Sequence, residues 1–188
     1  MKYDIIIAGV GGQGVLSVAA AIARAAMASG LSVKQSEVHG MAQRGGAVQA
    51  HFRLSDGPIA SDLIGKGRAD MILSMEPMEA LRYLPWLRKG GVIVTDSNPF
   101  RNIPDYPDIK GLEDAIRAIP GSCLIDSKEL AKRACNPKGA NMVIVGAASR
   151  HLPIAREALE AAIRELFESK GNEVADANIA CFALGREA

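Results

Sequence analysis

Apolar residues in this chain of 188 residues fall into two patterns that alternate along its length: short solid runs, and longer stretches repeating every three or four positions. The run that starts at Ile5 is solid and of strand character, in a strand entered at Tyr3, and Val15 to Met27 reads as a helix rich in alanine, with Gly30 as its stop. Leu31 to Ser36 and Val48 to Leu54 alternate with period two, as strands with one polar face do. The turn signal Ser55-Asp56-Gly57-Pro58, followed by Ile59, predicts a β-hairpin or edge insertion there. Ala69 to Met75 and Gly91 to Asp96 are solid runs again, the mark of strands buried on both faces. Between them Pro77 opens a helix whose Met78, Leu81, Leu84 and Leu87 repeat at helical spacing. A short helix over 112–119, a strand over 122–126 and a helix capped by Ser127 through Ala134 are expected next. Asn141 to Ser149 is apolar nearly throughout and suits either a strand or a buried helix, of which Ala147, Ala148 and the need to reach Arg150 favour the helix. Leu152-Pro153 opens an amphipathic helix to about Ser169, and a last helix runs from about Val174 to Leu184.

Strand followed by helix followed by strand implies right-handed parallel crossovers. The expected class is therefore α/β, a Rossmann-like doubly wound, mostly parallel sheet with a β-hairpin insertion and a helical C-terminus, in one domain over 1–188. The length is sufficient for one sizeable core.

The first candidate site lies where the first strand meets the first helix. Gly9, Gly11 and Gly14 fit the G-x-G-x-x-G spacing, with Gly12 and Gln13 inside it, in which glycines allow a tight turn, a close ligand approach and close helix packing. The helix that follows would aim its first amides and positive dipole end at an anion. A turn that only packs a helix on a sheet would look the same. About 20 residues on, where a dinucleotide site wants an acid for the ribose hydroxyls, stands Glu37.

The stretch Glu37-Val38-His39-Gly40-Met41-Ala42-Gln43-Arg44-Gly45-Gly46 departs from that pattern, being polar and glycine-punctuated at the carboxyl end of a strand. Open α/β sheets bind ligands at that edge. Glu37, His39, Gln43 and Arg44 offer an acid, an imidazole, an amide and a fixed cation, enough to grip a carboxylate or phosphate; they equally suit a solvated loop. His51 is expected on the polar face of its strand in a structural role, since nothing pairs with it locally. Ser97 to Lys110, with Pro99, Pro104 and Pro107, is an irregular connection over the carboxyl edge, covering a site or simply wandering.

Composition narrows the partners. Lys and Arg number 22 against 21 Asp and Glu, so no net field argues for nucleic acid or a membrane surface. Aromatics are 4% against a hydrophobic fraction of 48%, which disfavours a base-stacking nucleic-acid reader and suits a core of Ala, Val, Ile and Leu. Cys123, Cys135 and Cys181 lack any C-x-x-C spacing, so no zinc site or iron–sulfur cluster is expected, and the three read as free or buried thiols. The chain enters its first strand at Tyr3 without a basic leader and apolar signal segment. No apolar run approaches the roughly 20 residues of a membrane span, so a cytoplasmic location is expected.

No G-x-S-x-G elbow, H-E-x-x-H pair, P-loop lysine or paired metal carboxylates occur, which argues against a self-contained hydrolase or phosphotransferase. The glycine turn, the Ser36 to Gly46 segment, the hairpin and the Glu76-Pro77 strand end together closely resemble the gamma-type subunit of 2-oxoacid:ferredoxin oxidoreductases, over the full chain. Size and element order are most similar to the indolepyruvate branch of that family. The resemblance implies a complex that oxidatively decarboxylates an aryl-2-oxoacid such as indolepyruvate to its acyl-CoA and passes two electrons to ferredoxin. It also implies that thiamine diphosphate and the iron–sulfur clusters reside on a partner subunit. Gly9, Gly11, Gly12, Gln13, Gly14, Glu37, Gln43 and Arg44 would then form one wall of a shared site, with Gly11, Gly12, Gln13 and Arg44 holding a coenzyme A phosphate. Two other readings stay open: an NAD(P)- or FAD-binding oxidoreductase with Glu37 on the ribose, and a non-catalytic assembly subunit.

Overall fold

The structure is a computed structural model describing residues 1–39, 45–101 and 103–188, apart from the side chain of His39. Its elements in chain order are β1 (Lys2–Val10), α1 (Val15–Ala28), β2 (Ser32–His39), β3 (Ala47–Ser55), β4 (Ala69–Ser74), α2 (Pro77–Arg82) and β5 (Leu87–Asp96). They continue with α3 (Ile109–Arg117), β6 (Cys123–Ile125), α4 (Ser127–Arg133), α5 (Ala140–Ala148), α6 (Arg156–Phe167) and α7 (Asn172–Glu187), with short 3₁₀ turns between some of them. The strands form one sheet in the order β2-β3-β1-β4-β5-β6.

The half made of β1, β4, β5 and β6 is parallel, as the solid apolar runs predict, and it registers Ile5 with Met71, Met71 with Val92 and Val94 with Cys123. The expected hairpin is present but differently placed. β3 pairs back on β2 and also lies antiparallel against β1, so that it separates the two strands that precede it. Its inward row Val48, Ala50, Phe52 and Leu54 is buried, which commits the register, because a slip of one residue would turn that row to the other face.

Helices cover both faces. On one, α1 lies over β1, β2 and β3, and α5 lies over β4, β5 and β6. α5 is buried from Met142 to Ala148, in keeping with a helix that is apolar all round, because α7 packs on its outer side. On the opposite face α2 and α3 close a smaller cluster of Ile6, Ile72, Ala80, Ile93 and Ile116. Each of these fully buried isoleucines contributes about 1.5–3 kcal/mol by leaving water.

Three local expectations are corrected. The helix opened by Pro77 stops at Arg82 rather than running on through Leu87, because Pro85 cannot continue it; Leu84–Trp86 form a 3₁₀ turn and Leu87 already belongs to β5. The cap of α4 is Asp126, whose carboxylate accepts the Glu129 amide at 3.0 Å, while Ser127 is its first helical residue. The helix expected from Leu152-Pro153 begins only at Arg156. His51 does occupy the polar face of β3, but that face is covered. Its Nδ1 accepts the Ile64 amide at 2.9 Å, its ring meets Trp86 edge-on, and 6% of it is exposed. Beside it Arg53 binds the buried Asp4 carboxylate and the carbonyls of Ser61 and Leu63, fixing the 57–68 connection to the sheet.

Candidate functional site

All four parallel strands deliver their carboxyl ends to one edge, and the glycine turn sits at its centre. β1 sends its helix to one face and β4 sends its helix to the other, so the crevice between them is the switch point at which open α/β sheets take ligands. Gln13 bridges that crevice: its Oε1 accepts the Val10 amide at 2.7 Å and its Nε2 donates to the Met75 carbonyl at 3.1 Å. A Cβ on Gly9 would stand 3.1 Å from Gln13 Oε1 and 3.2 Å from Met75 Cβ, so only glycine leaves Gln13 its place. Gly14, at φ 85°, is the cap of α1, and a side chain there would meet Asn141 Nδ2 at 2.8 Å.

The turn divides into spent and unspent groups. Gly11 donates its amide to the Gly46 carbonyl at 2.8 Å and accepts the Gly45 amide at 3.3 Å, extending the β1–β3 ladder past its end. The side-chain amide of Gln13 is equally committed to backbone. Gly12 is exposed at φ 101°. Its amide and those of Val15 and Leu16 have no acceptor among the described residues, and α1 has no side-chain cap. These are the donors an anion would meet.

Glu37 lies within β2 rather than in a loop, opposite Ala50, which in turn faces Ile7 of β1. It therefore stands a whole strand further from the glycine turn than the acid of a dinucleotide site, where the acidic strand adjoins the glycine strand. Gln43 and Arg44 lie outside the described residues, as does the side chain of His39.

The structure adds residues that pattern reading did not select. At the end of β5 the buried Asp96 accepts from the Asn98 amide at 3.2 Å, Asn98 Nδ2 at 2.9 Å, the Ser127 amide at 3.2 Å and Ser127 Oγ at 2.6 Å. Asn98 also donates to Asp126 at 2.9 Å, and this bond chiefly holds the Asp126 carboxyl below its ordinary value. Asp96, Ser127, Gln13, Met75, Asn141 and Lys128 line a small cleft of about 160 Å³ against the turn.

At the end of β4 the fully buried Glu76 caps α2 through the Glu79 amide at 2.8 Å. It also accepts from the Phe100 amide at 3.3 Å and from the Tyr106 hydroxyl. Burial, and then the bond to Glu76, push the Tyr106 hydroxyl well above its ordinary value. The proline-rich connection is thus strapped down across the edge, with Phe100 and Ile103 turned outward at 41% and 42% exposure. A polar residue closing an apolar strand, as Asp96 and Glu76 do, is the signal that could have found both. Asn141, at the head of an apolar helix, carries a weaker version of it.

Cys123 is partly buried, Cys135 exposed and Cys181 buried, and burial pushes the Cys181 thiol up to about 11. Among the described residues no three His, Cys, Asp or Glu side chains gather as a metal-holding group. No helix among them is long and apolar enough to cross a membrane.

This fold, a mostly parallel sheet with helices on both faces, is shared by solved oxoacid oxidoreductases. The gamma subunit of a keto/oxoacid ferredoxin oxidoreductase from Geobacter sulfurreducens PCA matches with a TM-score of 0.69 at 25% identity, covering 99% of each chain. A 2-oxoglutarate:ferredoxin oxidoreductase from Magnetococcus marinus, solved with 2-oxoglutarate, coenzyme A and succinyl-CoA bound, matches with a TM-score of 0.77 at 24% identity. There the likeness covers 99% of this chain and 30% of that longer one. Residues 4–188 match the pyruvate ferredoxin/flavodoxin oxidoreductase family, and the chain belongs to it.

Among its relatives, indolepyruvate oxidoreductase subunit IorB of Pyrococcus horikoshii is 36% identical over 100% of this chain and 96% of its own. The subunit of the same name from Archaeoglobus fulgidus is 35% identical over 98% and 94%. The 2-oxoglutarate synthase subunit KorC of Methanothermobacter thermautotrophicus is 29% identical over 100% and 95%.

Proposed function

We propose that this chain is one subunit of an indolepyruvate:ferredoxin oxidoreductase and is active only within that complex. The reaction is oxidative decarboxylation of an aryl-2-oxoacid in the presence of coenzyme A. One C–C bond breaks to release carbon dioxide, one thioester forms, and two electrons leave for two ferredoxins. The observation that carries the substrate is the higher identity to the indolepyruvate subunits, 35–36%, than to the 2-oxoglutarate subunit, 29%, at equal coverage.

In this reading thiamine diphosphate and the iron–sulfur clusters belong to the partner subunit, where they supply decarboxylation and electron transfer. The scattering of Cys123, Cys135 and Cys181 supports that division. This chain's own residues bind and orient. An anionic group of coenzyme A meets the amides of Gly12, Val15 and Leu16 and the positive end of α1, with Arg44 as a counter-cation from the adjoining segment. Gly9, Gly11, Gly14 and Gln13 set the shape of the turn, and Gln13 in particular ties it to the end of β4. The strapped 97–107 connection and its outward Phe100 and Ile103 give the partner an apolar surface beside the site.

The test is reconstitution. Indolepyruvate should reduce ferredoxin or a viologen dye only when this chain and its thiamine-containing partner are both present, and activity by the isolated chain would overturn the reading. Arg44→Ala should raise the coenzyme A concentration needed for half-maximal rate; an unchanged coenzyme A dependence would remove Arg44 from the role. The isolated chain should show no equilibrium binding of NAD(P) or FAD.

A further inference from the structure

Behind the glycine turn, within the helical layer, lies a cavity of about 480 Å³ that none of the chemistry above uses. Its volume falls in the range of small-ligand pockets, about 300–1,000 Å³. Its wall includes Ser17 in the first turn of α1, Asn141 in the first turn of α5, Asn178 of α7, Phe167, and the two lysines Lys138 and Lys170. Asn141 lines the Asp96 cleft as well, so the two spaces share a wall immediately beside Gly14.

Its charge is one-sided. No acidic residue is among those that line it, and neither lysine has a carboxylate partner among the described residues. The nearby cations Lys132 and Arg164, in contrast, are paired with Glu129 and Asp176. Lys170 stands 5.4 Å over the ring of Phe167, which places its ammonium against the wall. Glu168 and Glu173 are close in sequence but exposed and outside the lining.

The neutral groups fit a ligand that carries more than charge. Asn178 is 5% exposed; its Nδ2 donates to the Val174 carbonyl at 2.8 Å, while its Oδ1 takes no donor among the described residues. Asn136, also in the wall, has a buried Nδ2 with no acceptor. The Asn178 oxygen is accessible and so open to a ligand hydroxyl or N–H, whereas the buried Asn136 nitrogen carries the cost of a donor without an acceptor. Two ammonium groups without a carboxylate partner, in a recess lined by side-chain amides and the Ser17 hydroxyl, are the donor set of a phosphate site.

We infer that this cavity is a subsite for a phosphate-bearing ligand, with Lys138 and Lys170 as its cations and Ser17, Asn141 and Asn178 as its hydrogen-bonding wall. The inference does not depend on which oxoacid the complex oxidises, and its readout is binding rather than turnover. The phosphate can come from free inorganic phosphate or from a nucleotide, and the two are separated by probe. The full chain is titrated calorimetrically with potassium phosphate and with adenosine 5′-diphosphate, as wild type, Lys170→Gln, and the double variant Lys138→Gln with Lys170→Gln.

Each lysine should be worth about tenfold in affinity, since a hydrogen bond to a charged group is of that size. Binding of the diphosphate alone assigns a nucleotide site. Binding of both probes with equal affinity assigns a phosphate site. Either result must weaken stepwise through the two variants while the unliganded melting temperature stays within a degree or so, as expected for exposed lysines. Wild type that binds neither probe at about 10 mM, a strength far below that of functional ligands, or a double variant that binds as tightly as wild type, overturns the inference. Failure of the reaction assigned above would appear separately, as absent indolepyruvate-dependent reduction by the reconstituted complex.

Discussion

Two places in this molecule depend on glycine for opposite reasons. Where α5 crosses α7, Gly146 and Gly185 have ordinary helical backbones, and what they supply is room. A Cβ on Gly146 would fall on the Phe182 carbonyl oxygen and lie 2.9 Å from the Arg186 amide nitrogen, and one on Gly185 would lie 2.7 Å from the Val143 carbonyl carbon. In the turn after β1, a Cβ on Gly12 would meet nothing within 4 Å, and what the glycine supplies is an angle, φ 101°. One site lets two backbones touch and serves stability; the other exposes amides to a ligand and serves binding. A glycine's function is read from what surrounds it, not from its presence in a motif.

Substitution should separate the two. Gly185→Ala is expected to have the largest effect, about 3 kcal/mol or more, because backbone rather than a flexible side chain would have to move. Urea unfolding would show it, and Gly146→Ala should behave alike. Glu76→Ala comes next, at about 2–3 kcal/mol, since it leaves the Phe100 and Glu79 amides and the Tyr106 hydroxyl without their acceptor. Limited proteolysis should then cut within 97–107 faster than in wild type.

Gly12→Ala should cost only about 1 kcal/mol of stability, the penalty for positive φ, yet raise the coenzyme A requirement of the reconstituted complex severalfold. A stability loss as large as that of Gly185→Ala would erase the contrast. Tyr106→Phe, losing one hydrogen bond to a charged acceptor at the same strap, is expected at about 1–2 kcal/mol with the coenzyme A requirement unchanged.

The smallest effect is one of pH. Burial lowers the His51 pKa from its ordinary 6.5, and its Nδ1 must stay unprotonated to accept the Ile64 amide. The unfolded chain therefore binds the proton first, so stability is full above about pH 6.5 and is lost as pH falls from there toward the folded value. His51→Asn, whose Oδ1 can accept the same bond, should flatten the urea midpoint between pH 7 and about 5.5 relative to wild type; parallel curves would dismiss the effect.

Much of the fold was legible because periodicity and punctuation agreed. The solid runs of β1, β4 and β5 and the all-apolar α5 announce burial on every side, and the structure places them there. The hairpin's position was not legible. Val48 to Leu54 alternates as any half-buried strand does, and nothing local states that β3 will come between β2 and β1. Pro85 outweighed the helical spacing of Leu84 and Leu87, and Asp126 and Ser127, adjacent and both good caps, could not be ranked without their partners. At the site, the glycine spacing located the turn but could not reveal that the Gly11 amide is spent on Gly46. Asp96, Ser127 and Asn141 come from three distant segments, and only the folded sheet edge brings them together.

The placement of α5 has a consequence for how the chain is made. The row Met71, Leu73, Val94 and Ile125 is covered by residues 140–148, and these in turn by the last helix. During vectorial synthesis the parallel half of the sheet must emerge with that row open to solvent, and it stays open until α5 and α7 have followed it out of the ribosome. The crossing of α5 and α7, where Gly185 leaves no room for a Cβ beside Val143, is also among the last packings that can form. Emergence of the segment that carries α5 and α7, rather than the appearance of the first strands, is the step that commits this sheet to its native state.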